Sequence, residues 1–165
     1  MRHLLTAINA SIAQQNWCAA LSLTLALPDI CGWLEDPSAP TQDRYVSWFD
    51  RFVAGNYESF FLSGRDCYAL RCAFLHEGRE EIITQRAREV LDRFQFTVVP
   101  RPDLMIHCNR FGSKLQLQVD IFCSEFVAGG EEWLQKVGTR SEVQARMLSL
   151  LRIYDVNGRP IGEGA

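Results

Sequence analysis

The sequence predicts an α+β chain, mainly α, in which a helical bundle is joined to a C-terminal β-hairpin or small antiparallel sheet. Three observations carry this. Apolar residues recur at helical spacing through most of the first half, the period drops to two further on, and helix-capping residues punctuate the helical stretches. At 165 residues the chain suits a single domain, 1–165, able to bury a core without staples. Its expected parts are a helical core over residues 1–92, a β-hairpin region over 94–123 and closing helices over 131–154.

A first helix is expected over residues 2–14, with Leu4, Leu5, Ile8 and Ile12 on one face. Asn16 suits the N-cap of a second. Its Trp17, Leu21 and Leu25 form one stripe and Leu23 and Leu27 another, so it should be buried nearly all round. Pro28-Asp29 is expected to end or kink it, with Asp29 capping a short turn through Ile30, Trp33 and Leu34. Residues 35–40 read as a rigid loop. Thr41 or Asp43 then opens a third helix bearing Tyr45, Trp48, Phe49, Phe52 and Val53, an aromatic stripe assigned to the core, with Gly55 as its C-terminal cap. Ser63 and Asp66 have capping-box spacing and start a fourth helix that reaches His76 and stops at Gly78. Ile83, Ala87, Val90 and Leu91 suggest a further helix over 81–91.

The period then changes. Residues 94–99, 104–109 and 114–123 read as strands, with Leu115, Leu117, Val119 and Ile121 alternating against Gln116, Gln118 and Asp120. Phe111-Gly112-Ser113 supplies a hairpin turn. Two helices close the chain, one over 131–137 and one starting at Ser141, where Gln144 completes a second capping box and Val143, Met147, Leu150 and Leu151 follow. Asn157 to Gly162 reads as a loose tail.

The composition, 47% hydrophobic and 22% charged, is that of an ordinary globular protein. The longest apolar run, residues 17–27, is too short to span a bilayer, and the N-terminus lacks a secretory leader pattern, so a cytoplasmic protein with no membrane partner is expected. The six cysteines form no C-x-x-C pair and lie in apolar or amphipathic segments, which points to reduced thiols used as small hydrophobes. His3, His76 and His107 do not join cysteines at ligand spacing, so neither a metal nor another cofactor is expected. A net charge of −3 gives no global attraction to nucleic acid. The basic residues are nevertheless almost all arginine, the side chain suited to bidentate phosphate contacts, which leaves a nucleic-acid substrate open.

The segment Asp66 to Gly78 carries the candidate chemistry. On a helical wheel Arg71 falls among Cys67, Tyr68, Phe74 and Leu75, and a cation on an apolar stripe has to snorkel or find a partner. Ala69 and Ala73, on the opposite side, would let another helix approach closely. His76 sits in the last turn, where the helix dipole favours its protonated form. An imidazole beside a fixed cation suits proton transfer on a phosphodiester, with the guanidinium holding a non-bridging oxygen as charge develops. Such chemistry needs no metal. The bland alternative is a buried salt bridge at Arg71 and a dipole-favoured histidine at the helix end.

Arg71-Cys72-Ala73-Phe74-Leu75-His76 resembles the R-x4–6-H motif of HEPN-domain proteins, and the longer run Tyr68 to Gly78 looks like the form many bacterial members carry. The resemblance covers about the first 90 residues. It implies a helical bundle with the motif late in a core helix, a homodimer joining two copies of the motif in one cleft, and RNA as substrate. Active members are metal-independent endoribonucleases of toxin–antitoxin, abortive-infection and CRISPR systems, so an antitoxin or other protein partner is implied too. Carried over, Arg71 and His76 become the catalytic pair. Many active members have a polar residue, often Asn, after the arginine, where this chain has Cys72. Asp66 reads first as a helix-start residue and second as an accessory site residue; His3 and His107 read as structural or exposed. Arg101 and His107 repeat the spacing but are set aside, because Pro102 intervenes and His107 lies in a strand pattern. The competing functions are a HEPN-like binding module without catalysis, for a partner protein or RNA, and a structural protein using the hairpin as a dimer edge.

Overall fold

Helix formation follows the apolar spacing closely in the first half of the chain, which a computed structural model describes over residues 1–57, 61–101 and 103–161. Helix α1 (Arg2–Ala13) buries Leu5 and Ile8. Helix α2 (Trp17–Glu35) starts at Asn16, whose side-chain oxygen accepts the Ala19 N–H at 3.4 Å. Pro28 does not end it. The missing N–H costs one bond of the helical ladder, but Pro28 is buried with Leu25, Leu27 and Cys31 in a helix that contacts α1 and four later helices, and that packing carries the helix on to Glu35. Asp29 is therefore a mid-helix residue, not a cap. By length and composition α2 could cross a membrane, yet half of its apolar window is buried inside the molecule.

Helix α3 (Thr41–Phe52) buries Tyr45, Trp48 and Phe49 as expected, while Gly55 lies in a separate 3-10 turn, Ala54–Asn56, instead of capping α3. The tip of α2 is clamped by Glu35, which takes a two-pronged contact from Arg51 of α3 (3.1 and 2.7 Å) and the indole N–H of Trp133 (2.6 Å). Helix α4 (Gly64–Glu77) starts at Ser63, whose Oγ accepts the Asp66 N–H at 3.0 Å, and ends at Gly78 with φ of 66°. Only glycine adopts that left-handed end without strain.

The helix expected over 81–91 does not form. Ile82 and Leu91 are buried while Ile83 and Val90 are exposed, so the anticipated face is split. The backbone instead finds distant partners: Ile82 N–H bonds Asp92 O, Phe94 N–H bonds Glu80 O, and the Asp66 carboxylate accepts from Glu89 and Val90.

Strand β1 (Arg93–Thr97) pairs parallel with β3 (Lys114–Gln118), and β2 (Asn109–Phe111) pairs antiparallel on the other side of β3. The sheet is thus small and mixed, with the expected hairpin but not an antiparallel sheet throughout. Residues 104–108 are irregular, and the alternation ends at Gln118, because α5 (Val119–Lys136) takes over with Val119, Phe122, Cys123, Phe126 and Trp133 buried at helical spacing. This helix runs through Gly129 and Gly130, where an added Cβ would meet Phe52 O at 2.8 Å and Leu5 Cδ2 at 2.7 Å. The glycines admit α3 and α1 to close approach. Helix α6 (Ser141–Met147) begins where expected, but the Ser141 hydroxyl turns to Glu142, so the second capping box is not made. Leu150 and Leu151 lie beyond it. The end is a closed turn, with Asp155 N–H to Arg159 O at 2.8 Å and Ile161 N–H to Ile153 O at 2.7 Å; Gly162 lies outside the described residues. Buried residues from Met1 to Val143 form one connected core.

Candidate functional site

Two charges that each lie in apolar sequence meet at the α2–α4 contact. Arg71 Nε lies 2.6 Å from Asp29 Oδ2, with side-chain exposures of 20% and 13%. The two pair as charges rather than through an in-line N–H bond. They are affected unequally. Burial lifts the Asp29 carboxyl above its ordinary value despite Arg71, whereas for Arg71 the pull of Asp29 and Cys72 outweighs burial and raises the guanidinium.

The other end of the guanidinium reaches His76, with Arg71 Nη1 2.9 Å from His76 Nε2. Residues five apart on an ideal helix project about 140° from one another, so the long arginine side chain has to curl toward the exposed end of α4 to make this contact. A guanidinium only donates. Nε2 is therefore the acceptor, and the ring proton sits on Nδ1, which leaves Asp29, Arg71 and His76 as a chain from half-buried carboxylate to exposed imidazole. Tyr68 and Cys72 lie alongside: Cys72 is within hydrogen-bonding reach of Arg71 and of the Tyr68 hydroxyl, and burial followed by Cys72 raises the Tyr68 pKa. Tyr68 stands edge-on to Tyr45 at 5.3 Å.

Asp66 does not join this chain. It is fully buried, and its oxygens accept Glu89 N–H at 2.7 Å and Val90 N–H at 3.3 Å, fastening the 80–92 loop to α4. A crevice of about 480 Å³ flanks the end of α4, lined by Leu70, Phe74, Gly78, Arg79 and Phe96 among others, but its described lining includes neither Arg71 nor His76.

The second pair stays apart. Arg101 bonds Asp103 at 2.6 Å on the surface, while His107 turns inward, its Nε2 3.5 Å from Glu125 Oε2, which also accepts the Tyr57 hydroxyl at 2.5 Å. Burial alone would lower the His107 pKa, but Cys108 and Glu125 push it up to about 9. Gln118 N–H meets Nδ1 at 3.2 Å, a contact suited to the neutral ring; Cys108 and Glu125 together outweigh it and set the upward direction. The cysteines are all free, with Cys31, Cys67 and Cys123 buried, Cys72 and Cys108 half-buried and Cys18 exposed against expectation. Among the described residues no three His, Cys, Asp or Glu side chains converge as a metal site.

The sequence reading missed Asp29 as the partner of Arg71. The signal was present: Asp29 is the one charge in α2 before Glu35, and a carboxylate inside an apolar helix needs a counter-charge as much as the arginine does. No protein-family model, curated protein or solved structure matches the chain.

Proposed function

We propose that this chain is a metal-independent endoribonuclease of the HEPN type, acting in the cytoplasm as a homodimeric toxin or phage-defence component held in check by an antitoxin or other protein partner. The observation that carries the reading is the 2.9 Å contact between Arg71 Nη1 and His76 Nε2 at an exposed helix end. An RNA phosphate oxygen, being anionic, competes with the imidazole for the guanidinium. Its arrival frees the Nε2 lone pair, which takes the ribose 2′-OH proton while the oxygen attacks phosphorus. Arg71 balances charge on the pentacoordinate phosphorus, and the 5′ oxygen leaves with a proton, yielding a 2′,3′-cyclic phosphate. A second copy of the motif, brought by the dimer, supplies the imidazolium that gives this proton.

A HEPN-like binding module without catalysis is the second reading. It is favoured by the Asp29 pairing, which already neutralises Arg71, and by Cys72 in the place of the polar residue. Purified protein incubated with RNA in EDTA separates the two. Cyclic-phosphate ends that disappear with His76→Ala support the nuclease; RNA left intact by a folded dimer supports the binding module.

A further inference from the structure

Cys108 ends the irregular segment before β2 with a φ of 56°, one of two non-glycine residues in the left-handed region among those described. A residue with a side chain seldom takes that conformation, and its effect here is on direction. In extended chain, neighbouring side chains point to opposite faces. This turn instead leaves the Cys108 thiol within hydrogen-bonding reach of the imidazole of His107.

The imidazole is enclosed. Its side chain is 10% exposed, its Nε2 lies 3.5 Å from Glu125 without making a hydrogen bond, and the Tyr57 ring centre stands 5.9 Å away. Tyr57 also donates its hydroxyl to Glu125, which fixes the carboxylate against the ring. Burial opposes a charged imidazole, yet Cys108 and Glu125 raise its pKa to about 9, so the thiol faces an imidazolium at neutral pH. An imidazolium beside a thiol favours the thiolate, the form that attacks disulfides.

The other cysteines lack this setting. Cys31, Cys67 and Cys123 are buried, and burial pushes each thiol up, Cys67 to about 12 and Cys123 to about 11. Cys72 faces Arg71, a cation that Asp29 already engages. Cys108 combines half-burial with a neighbouring imidazolium that has a carboxylate behind it.

We propose that Cys108 is a thiol-modification site, where a small aliphatic disulfide is captured as a mixed disulfide with activation by His107 and Glu125. The Cys108 thiolate attacks one sulfur of the reagent, and a new S–S bond forms as the old one breaks. The departing thiolate takes the proton that His107 held against Cys108. The cluster shares no residue with Arg71, His76 or Asp29, so this proposal and the nuclease reading fail separately.

The reduced full chain, incubated with glutathione disulfide at neutral pH and followed cysteine by cysteine with peptide mass spectrometry, tests it. Cys108 should be modified first, about tenfold faster than the more exposed Cys18. His107→Gln and Glu125→Gln should each bring the Cys108 rate down toward that of Cys18, with folding checked by circular dichroism. A second readout does not depend on access. Thiolate ultraviolet absorbance at neutral pH should fall in Cys108→Ser and in His107→Gln, and stay unchanged in Cys18→Ser. The proposal is overturned if Cys18 or Cys72 reacts first, or if a folded His107→Gln or Glu125→Gln protein keeps the native rate. It is equally overturned if Cys108→Ser leaves the thiolate absorbance as it was.

Discussion

The chain holds two arginine–histidine pairs of nearly equal spacing, and they come to opposite ends. Arg71 and His76 lie on one helix with a fixed terminus and meet at 2.9 Å. Arg101 and His107 lie on irregular chain; the arginine pairs with Asp103 in solvent and the histidine is drawn inward to Glu125. Spacing in sequence becomes geometry only where regular backbone carries it. In the first pair the helix sets the separation, Gly78 sets where the helix stops, and Asp29 holds the arginine from below. In the second, each side chain settles with whatever partner its own stretch of backbone offers.

The sharpest way to break this contrast is to remove each histidine in turn. His76→Ala should lower RNA cleavage by about 10²–10⁴, the usual worth of a general acid–base group, while His107→Ala should leave the rate per folded molecule unchanged; gel analysis in EDTA reads both. Equal losses would mean that the helix confers no advantage. Next in size is Asp66, buried and bonded to two backbone N–H groups. Asp66→Ala should cost about 2–3 kcal/mol in urea unfolding and leave the cleavage rate per folded molecule intact, which separates a fastening role from a catalytic one. Asp29→Asn probes the support under the first pair. It should cost about 1–2 kcal/mol, between exposed and buried ion pairs, since burial already works against the charged carboxylate. It should also lower cleavage as Arg71 loses its anchor.

The last test concerns the second pair alone. The His107 pKa is raised from 6.5 to about 9, so its contribution to stability is fully present below the unfolded value and is lost as pH rises through about 9. Denaturant midpoints across pH 6–10 should therefore decline for the native chain and decline less for Glu125→Gln. A flat native profile would show that the Gln118 N–H, not Glu125, governs this ring.

Helices α1, α3 and α4 were legible because their apolar residues fall on one face and their ends carry recognisable signals such as Ser63 and Gly78. Helix α2 was read short because proline is a local signal, and the packing that overrides it comes from elsewhere in the chain. Most of α5 was hidden for a related reason. Leu115 and Leu117 alternate as a strand, but Val119 and Ile121 continue that alternation by coincidence into a helix, and Gly129-Gly130 looks like a breaker until the helices beside it are known. The helix expected over 81–91 gives way to short local turns and distant bonds: the N–H groups of Ile82, Glu89 and Val90 go to Asp92 and Asp66, neither of which spacing could reveal. Of the candidate site, the arginine, the histidine and their helix were readable, whereas the carboxylate was visible only as an unexplained charge in α2.

The parallel pairing of β1 with β3 has a consequence for how the molecule assembles. The segment joining them carries β2, which lies on the far side of β3, so the three strands cannot zip in chain order. The β2–β3 hairpin closes a short loop and can form early, but its docking on β1 must wait for a longer closure. The 80–92 loop bonds to Phe94 at the start of β1 and, through Asp92 N–H, to Ser113 at the hairpin turn. The chain leaving His76 would thus be among the last to settle, and pulsed hydrogen exchange during refolding should find the amides of Glu89 and Asp92 protected after those of α3.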